Sequence, residues 1–396
     1  MKKLSKLLNW VDDNILQTLL ILFIFVITLY PKIPLIRLTY TYIAIRGEDF
    51  FVALIFFVYA IQLLRRKVHI SKTFVLPFLI FWISILASLV FGIFVSKSLI
   101  HYNIAVLHTL RRLEYMGIFF IALSAVNSFK AFRNLLLALV LSMLLVCLYG
   151  FGQRFVGFPA ISTMNAEFAK GIFLTLTPDA RLASTFAGHY DLAAYLVLLL
   201  PIIWGFIITL GKADSEIANF AFLKPFFWTY QKVTSFFGYV LYSISSAIKN
   251  KNETYLSIQQ SFALDKEGGI VLVCMATIAS LITASIFSSL FIPIISIFAF
   301  GIIGFIFFYK VNQKYTLFFI SACSIAALVL TASRTSFIAY IISMGAFLLF
   351  FRKYKYLLSV VIITVLMMTL SQSLSQRFLD TFQIKRFLIN ERTGEV

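Results

Sequence analysis

Two short polar runs break long apolar sequence, and each carries an arginine among hydroxyl groups. The first is residues 181–191, RLASTFAGHYD; the second is residues 333–336, SRTS, about 150 positions later. Each leads straight into an apolar stretch of helical length. Arg181 and Arg334 therefore stand at helix starts, where unsatisfied backbone N–H groups and the positive end of the dipole favour an anion. A guanidinium there adds a planar, permanently charged fork suited to phosphate. Ser333 suits the N-cap of the second helix. Two such ends on one face are suited to a pyrophosphate. His189 titrates near neutrality, which fits a proton-transfer or substrate-contact role, and Asp191 reads as a first-turn carboxylate on the dipole rather than as a base. The plainer alternatives are an arginine that snorkels to the membrane interface and a histidine that merely opens a helix.

A third cluster, Arg111, Arg112 and Glu114, falls in an otherwise apolar segment. Charges at membrane depth are expensive, so Arg111 and Arg112 are possible substrate contacts. The competing reading is that Arg111 pairs with Glu114 on the same helix face. His101 and His108 read as interfacial and His69 as a loop residue.

The elements that must position these residues follow from composition. Of 396 residues, 61% are hydrophobic and 13% are charged, with 45 Phe and 18 Tyr. One core cannot hide so much apolar surface, because soluble domains carry about 25% charged residues. Lipid is the solvent, and long continuous apolar runs satisfy their backbones as helices rather than as a barrel. The expected fold is an all-α polytopic transmembrane bundle forming one membrane domain over 1–396. Spans are expected near 15–30, 49–64, 74–95, 105–126, 132–152, 188–210, 269–288, 291–309, 315–332, 334–351 and 356–371. The apolar segment behind Lys2, Lys3 and Lys6 has no small-residue cleavage site and reads as an anchor helix.

Eleven crossings place the N-terminus in the cytoplasm and both arginine runs outside. Most of the 34 lysines and arginines then fall on the inner side, as the positive-inside rule requires. Segment 211–267 mixes lysines with aromatics, as interfacial helices do; 233–248 is long enough for the alternative, a crossing. The net charge of +18 is scattered between apolar runs with no nucleic-acid motif, so no nucleic-acid partner is expected. Cys147, Cys274 and Cys323 lie in apolar helices without metal or disulfide spacing. Carboxylates sit almost entirely in loops or at helix ends, which argues against an ion-coupled transporter.

The run RLASTFAGHYDLAAYLVLLLP, the later TASRTSFIAYIISMG, and Arg46, Glu48 and Asp49 ahead of the second helix resemble the O-antigen ligase and polymerase family of bacterial membrane proteins. The resemblance implies a multi-pass protein of the bacterial inner membrane. It would move a glycan from an undecaprenyl diphosphate carrier to an acceptor hydroxyl at the outer face. The acceptor would be a lipid A core sugar, another lipid-linked repeat unit, or a protein. It also implies that Arg181 and Arg334 contact the diphosphate; Ser333, Arg111 and Arg112, read from their chemistry alone, are possible further substrate contacts. Membrane lipids are the surrounding partner, and no metal or cofactor is expected. The ligase-like region covers about 180–396. The family places a catalytic histidine on a large outer loop, and this sequence reaches Val396 about 25 residues into that loop without one. The expected reading frame therefore continues, and within this chain His189 is the candidate catalytic base. Rival functions are a flippase or transporter of lipid-linked oligosaccharide, which needs a charged central cavity, and a non-catalytic assembly partner.

Overall fold

The computed structural model describes residues 2–37, 44–70, 72–99, 101–162, 171–177, 180–210, 266–287 and 290–370, and over these the chain is an all-α polytopic bundle. Eleven α-helices are described: α1 (Lys2–Leu29), α2 (Gly47–Leu64), α3 (Lys72–Val90, continued by a π-turn at Phe91–Val95), α4 (Tyr102–Ala125), α5 (Phe129–Phe155), α6 (His189–Leu210), α7 (Lys266–Ile286), α8 (Phe291–Val311), α9 (Gln313–Leu330), α10 (Arg334–Phe350) and α11 (Tyr354–Leu370). Every span expected from hydropathy has its helix. Eight are long and apolar enough to cross a membrane, making this a multi-pass membrane protein. The other three differ for identifiable reasons. Arg111, Arg112 and Glu114 dilute the apolar content of α4, and α10 and α11 are 17 residues each.

α1 begins well before its apolar run because no glycine or proline interrupts residues 2–29. Two small two-stranded sheets form where sequence periodicity does not reveal them: β1 (Pro34–Arg37) with β2 (Ala44–Arg46), and β3 (Pro159–Ala160) antiparallel to β4 (Leu174–Thr175). Segments 211–265 and 371–396 lie outside the described residues, and with them the question of whether 233–248 crosses.

Two compact units divide the chain. The first comprises Met1–Phe23, Leu35–Leu136 and Leu210–Leu272. Its core joins Leu16 and Leu20 of α1, Ile55 and Tyr59 of α2, Phe74 of α3, and Phe120, Ile121 and Ala125 of α4. Aromatic rings fasten α3 to α4, with Phe78 stacked on Phe119 at 4.9 Å and edge-on to Phe120 at 4.8 Å. Gly117 lets α4 close on α2, since a Cβ there would lie 2.6 Å from the Phe56 ring. At one end Asp12 accepts both Nη atoms of Arg65 (2.5 and 2.7 Å), Lys67 Nζ (2.5 Å) and Gln62 Nε2 (3.1 Å); Lys67 also meets Asp13. Asp12 raises the pKa of Arg65, and Asp12 with Asp13 raises that of Lys67. At the other end lies the cluster around Asp49.

The second unit comprises Ile24–Pro34, Leu137–Thr209 and Val273–Val396. α5 is its central helix, 72% buried against 28% for the peripheral α8. α8 nevertheless approaches closely, because a Cβ on Gly301 would lie 2.6 Å from Leu148. Polar pairs tie helices together where apolar surface alone gives little preference in lipid. Tyr195 of α6 meets Ser142 of α5 (2.8 Å), Trp204 Nε1 of α6 donates to Ser321 of α9 (2.9 Å), and Tyr340 of α10 meets Thr364 of α11 (3.3 Å). Thr185, just ahead of α6, and Thr283, near the end of α7, both bond the last turn of α1. α6 therefore starts, and α7 finishes, at one end of this unit, as the predicted alternation of helix direction requires.

Candidate functional site

That end is built on the terminus of α1. The last four carbonyls of a helix have no intrahelical donor, and here all four find one. Val26 accepts from the Tyr30 amide (3.0 Å), Ile27 from Lys32 Nζ (2.9 Å), Thr28 from Thr185 Oγ1, and Leu29 from Thr283 Oγ1 (3.0 Å). The loop carrying Thr185 is pinned from α5. Ser184, in the left-handed region (φ 53°), donates to Val146 O (2.7 Å), and its carbonyl accepts from Gln153 Nε2 (2.8 Å). Gln153 also donates to Pro159 O (3.0 Å), which Tyr149 Oη shares (2.9 Å). Gly150 makes room, because a Cβ there would sit 3.0 Å from Leu182.

The two arginine runs meet here. The Leu182 amide donates to Leu330 O at the end of α9 (3.0 Å). Two residues further, Ala332 turns the chain through the left-handed region (φ 49°) into α10. Ser333 caps α10 as expected, accepting from the Ser336 amide (3.4 Å) and donating to Ser336 Oγ (2.8 Å). Arg334 is the first residue of α10 and is exposed, while Ser333 is buried. His189 is the first residue of α6, 4% exposed, with its ring 4.0 Å from that of Tyr190. Arg181, half-buried, brings Nη1 to 2.7 Å from His189 Nε2. A guanidinium has no acceptor capacity, so Nε2 must be the accepting nitrogen and His189 carries no proton there.

The electrostatics of this end favour an anion. α6 and α10 present N-termini, while the C-terminal carbonyls of α1 and α9 that would oppose them are already capped by donors. Lys32, Arg154, Arg181 and Arg334 supply positive charge. Arg154 donates to Thr177 O (3.3 Å). Among the described residues of this unit, Asp191 is the one carboxylate side chain, exposed in the first turn of α6.

Arg111 and Arg112 belong to the first unit. Arg111 Nη2 reaches Asp49 (3.2 and 3.4 Å) and Ala44 O (3.4 Å), so its ion pair crosses to α2 instead of staying with Glu114 on α4. The separation explains the difference: Arg111 comes 62 residues after Asp49, and only the folded α2–α4 contact joins them. Asp49 also accepts the Arg46 amide (2.8 Å), and Arg46 meets the buried Glu48 at 3.4 Å. Arg112 is exposed. Among the described residues, no group of three or more His, Cys, Asp or Glu could hold a metal ion.

Sequence reasoning missed Gln153, Lys32 and Thr283. A glutamine beside two glycines in an apolar helix is a detectable signal for Gln153. Thr283 carries none, because its role exists only once α7 lies against the end of α1. None of the protein-family models, curated proteins or solved structures compared with the chain matches it.

Proposed function

We propose that this chain is a membrane glycan transferase of the O-antigen ligase and polymerase type, acting at the outer face of a bacterial inner membrane on a polyprenyl-diphosphate-linked donor. The observation that carries the reading is the Leu182–Leu330 hydrogen bond. It joins the arginine-bearing loop ahead of α6 to the arginine-bearing start of α10, distant in sequence, at a basic end with one described carboxylate. Such an end stabilises negative charge that grows on a leaving group. In the proposed reaction an acceptor hydroxyl oxygen attacks the anomeric carbon. The bond from that carbon to phosphate oxygen breaks, and the diphosphate departs with the electron pair beside Arg181 and Arg334. Ser333 holds α10 in register so that its first amides face the same anion.

The test is glycan transfer per unit of full-length membrane protein for alanine and lysine variants of each arginine. Loss of one charge-assisted contact in a dry site should remove about 2–4 kcal/mol of transition-state stabilisation, roughly 30- to 1000-fold in rate. Lysine should rescue only partly, being a point charge without a fork. Near-normal transfer by both alanine variants would overturn this reading and favour a flippase or an assembly partner.

A further inference from the structure

The contact between Arg181 Nη1 and His189 Nε2 puts the best cation of the site on the lone pair that a base would use. In this arrangement His189 cannot take a proton at Nε2, and one Arg181 donor is spent on a neutral acceptor. Protonating Nε2 would force two cations to 2.7 Å, so the pairing holds only while the imidazole is neutral. A diphosphate oxygen is a stronger acceptor, since hydrogen bonds with an ionised partner are roughly twice as strong as neutral ones. Arg181 is half-buried and starts no helix itself, whereas His189 is fixed in the first turn of α6 and 4% exposed. The arginine is the member able to move.

We propose that Arg181 and His189 form a substrate-released latch, in which a diphosphate draws Arg181 away and exposes Nε2 of His189 as the proton acceptor for the incoming hydroxyl. This rests on the transferase reading above and adds its order of events. In the glycosyl step the hydroxyl oxygen bonds to the anomeric carbon, its proton passes to Nε2, and the diphosphate leaves with the electrons of the broken bond. When the product diphosphate departs, Arg181 returns only after His189 has given the proton to water. The latch keeps the base masked until a donor is bound, which suppresses hydrolysis and idle proton exchange.

Magic-angle-spinning NMR of the full chain in liposomes reads the latch directly. Replacing His69, His101 and His108 by glutamine leaves His189 as the histidine signal when histidine and arginine are labelled with nitrogen-15. The resting protein should show a close Nε2–guanidinium contact and a neutral imidazole. Adding inorganic pyrophosphate, or incorporating undecaprenyl diphosphate in the vesicles, should abolish the contact and shift the Nε2 resonance. The Arg181→Ala variant should show the shifted resonance without any anion. Release by either form supports the latch, and the form that acts at lower concentration identifies the source of the anion. Diphosphate binding, measured independently by calorimetry, with the contact intact would overturn the latch and leave the anion site standing. Absence of binding by both forms would overturn the latch and the transferase reading together, and a resting protein without the contact would overturn the latch alone.

Discussion

The two units treat their charges in opposite ways. In the first, four cations face carboxylates: Arg65 and Lys67 face Asp12 and Asp13, Arg111 faces Asp49, and Arg46 meets Glu48. In the second, Arg181 at the basic end meets an imidazole, and Lys32 and Arg154 donate to backbone carbonyls. A paired charge is already satisfied and serves the fold. A cation set against neutral acceptors keeps most of its field for a ligand. The same residue type therefore has two meanings in one chain, and proximity to a carboxylate separates them.

The sharpest way to break this comparison is to truncate one arginine on each side. Arg181→Ala should lower glycan transfer by roughly 30- to 1000-fold at near-normal membrane abundance, consistent with loss of a transition-state contact. Arg111→Ala should do the reverse, lowering folded protein while the activity of the surviving molecules stays within about threefold. Equal activity losses in the two variants would erase the distinction.

A smaller effect is expected from the partners. Asp49→Asn leaves Arg111 in a partly buried setting without its carboxylate and should destabilise by about 1–3 kcal/mol. The readout is the detergent melting temperature; an unchanged value would show that the pair contributes nothing. Gln153→Leu removes two donors from the carbonyls of Pro159 and Ser184 and should cost about 1–3 kcal/mol as well. Because Gln153 holds the loop of Arg181, it should also lower transfer, an effect that Asp49→Asn should not share. At the bottom of the scale, Lys67→Ala removes two exposed ion pairs and should leave melting temperature and transfer unchanged, since such pairs are screened by water.

Much of this was legible in the sequence because lipid imposes a simple rule. A continuous apolar run must be a helix, so all eleven described helices were visible, and the turn chemistry of Ser333 and the first-turn place of Asp191 followed from local spacing. What was not legible depends on contacts between distant segments. The capping of α1 by Thr185 and Thr283 requires three elements brought together across 254 residues. The Arg111–Asp49 pair was hidden by a nearer carboxylate, Glu114, at a spacing that helices also use. The Arg181–His189 contact spans eight residues through an irregular loop that no periodicity describes.

The central claim is that the basic end of the second unit, and not the charge cluster of the first, receives a diphosphate. A ligand that binds only the folded state raises its stability in proportion to the logarithm of its concentration over Kd. The direct measurement is the thermal stabilisation of the purified full chain in lipid nanodiscs by undecaprenyl diphosphate, for the wild type, Arg111→Ala and Arg181→Ala. Stabilisation of the wild type and of Arg111→Ala to the same extent, with little or none in Arg181→Ala, is the result predicted. Stabilisation that survives in Arg181→Ala and vanishes in Arg111→Ala would contradict the account and move the site to the first unit.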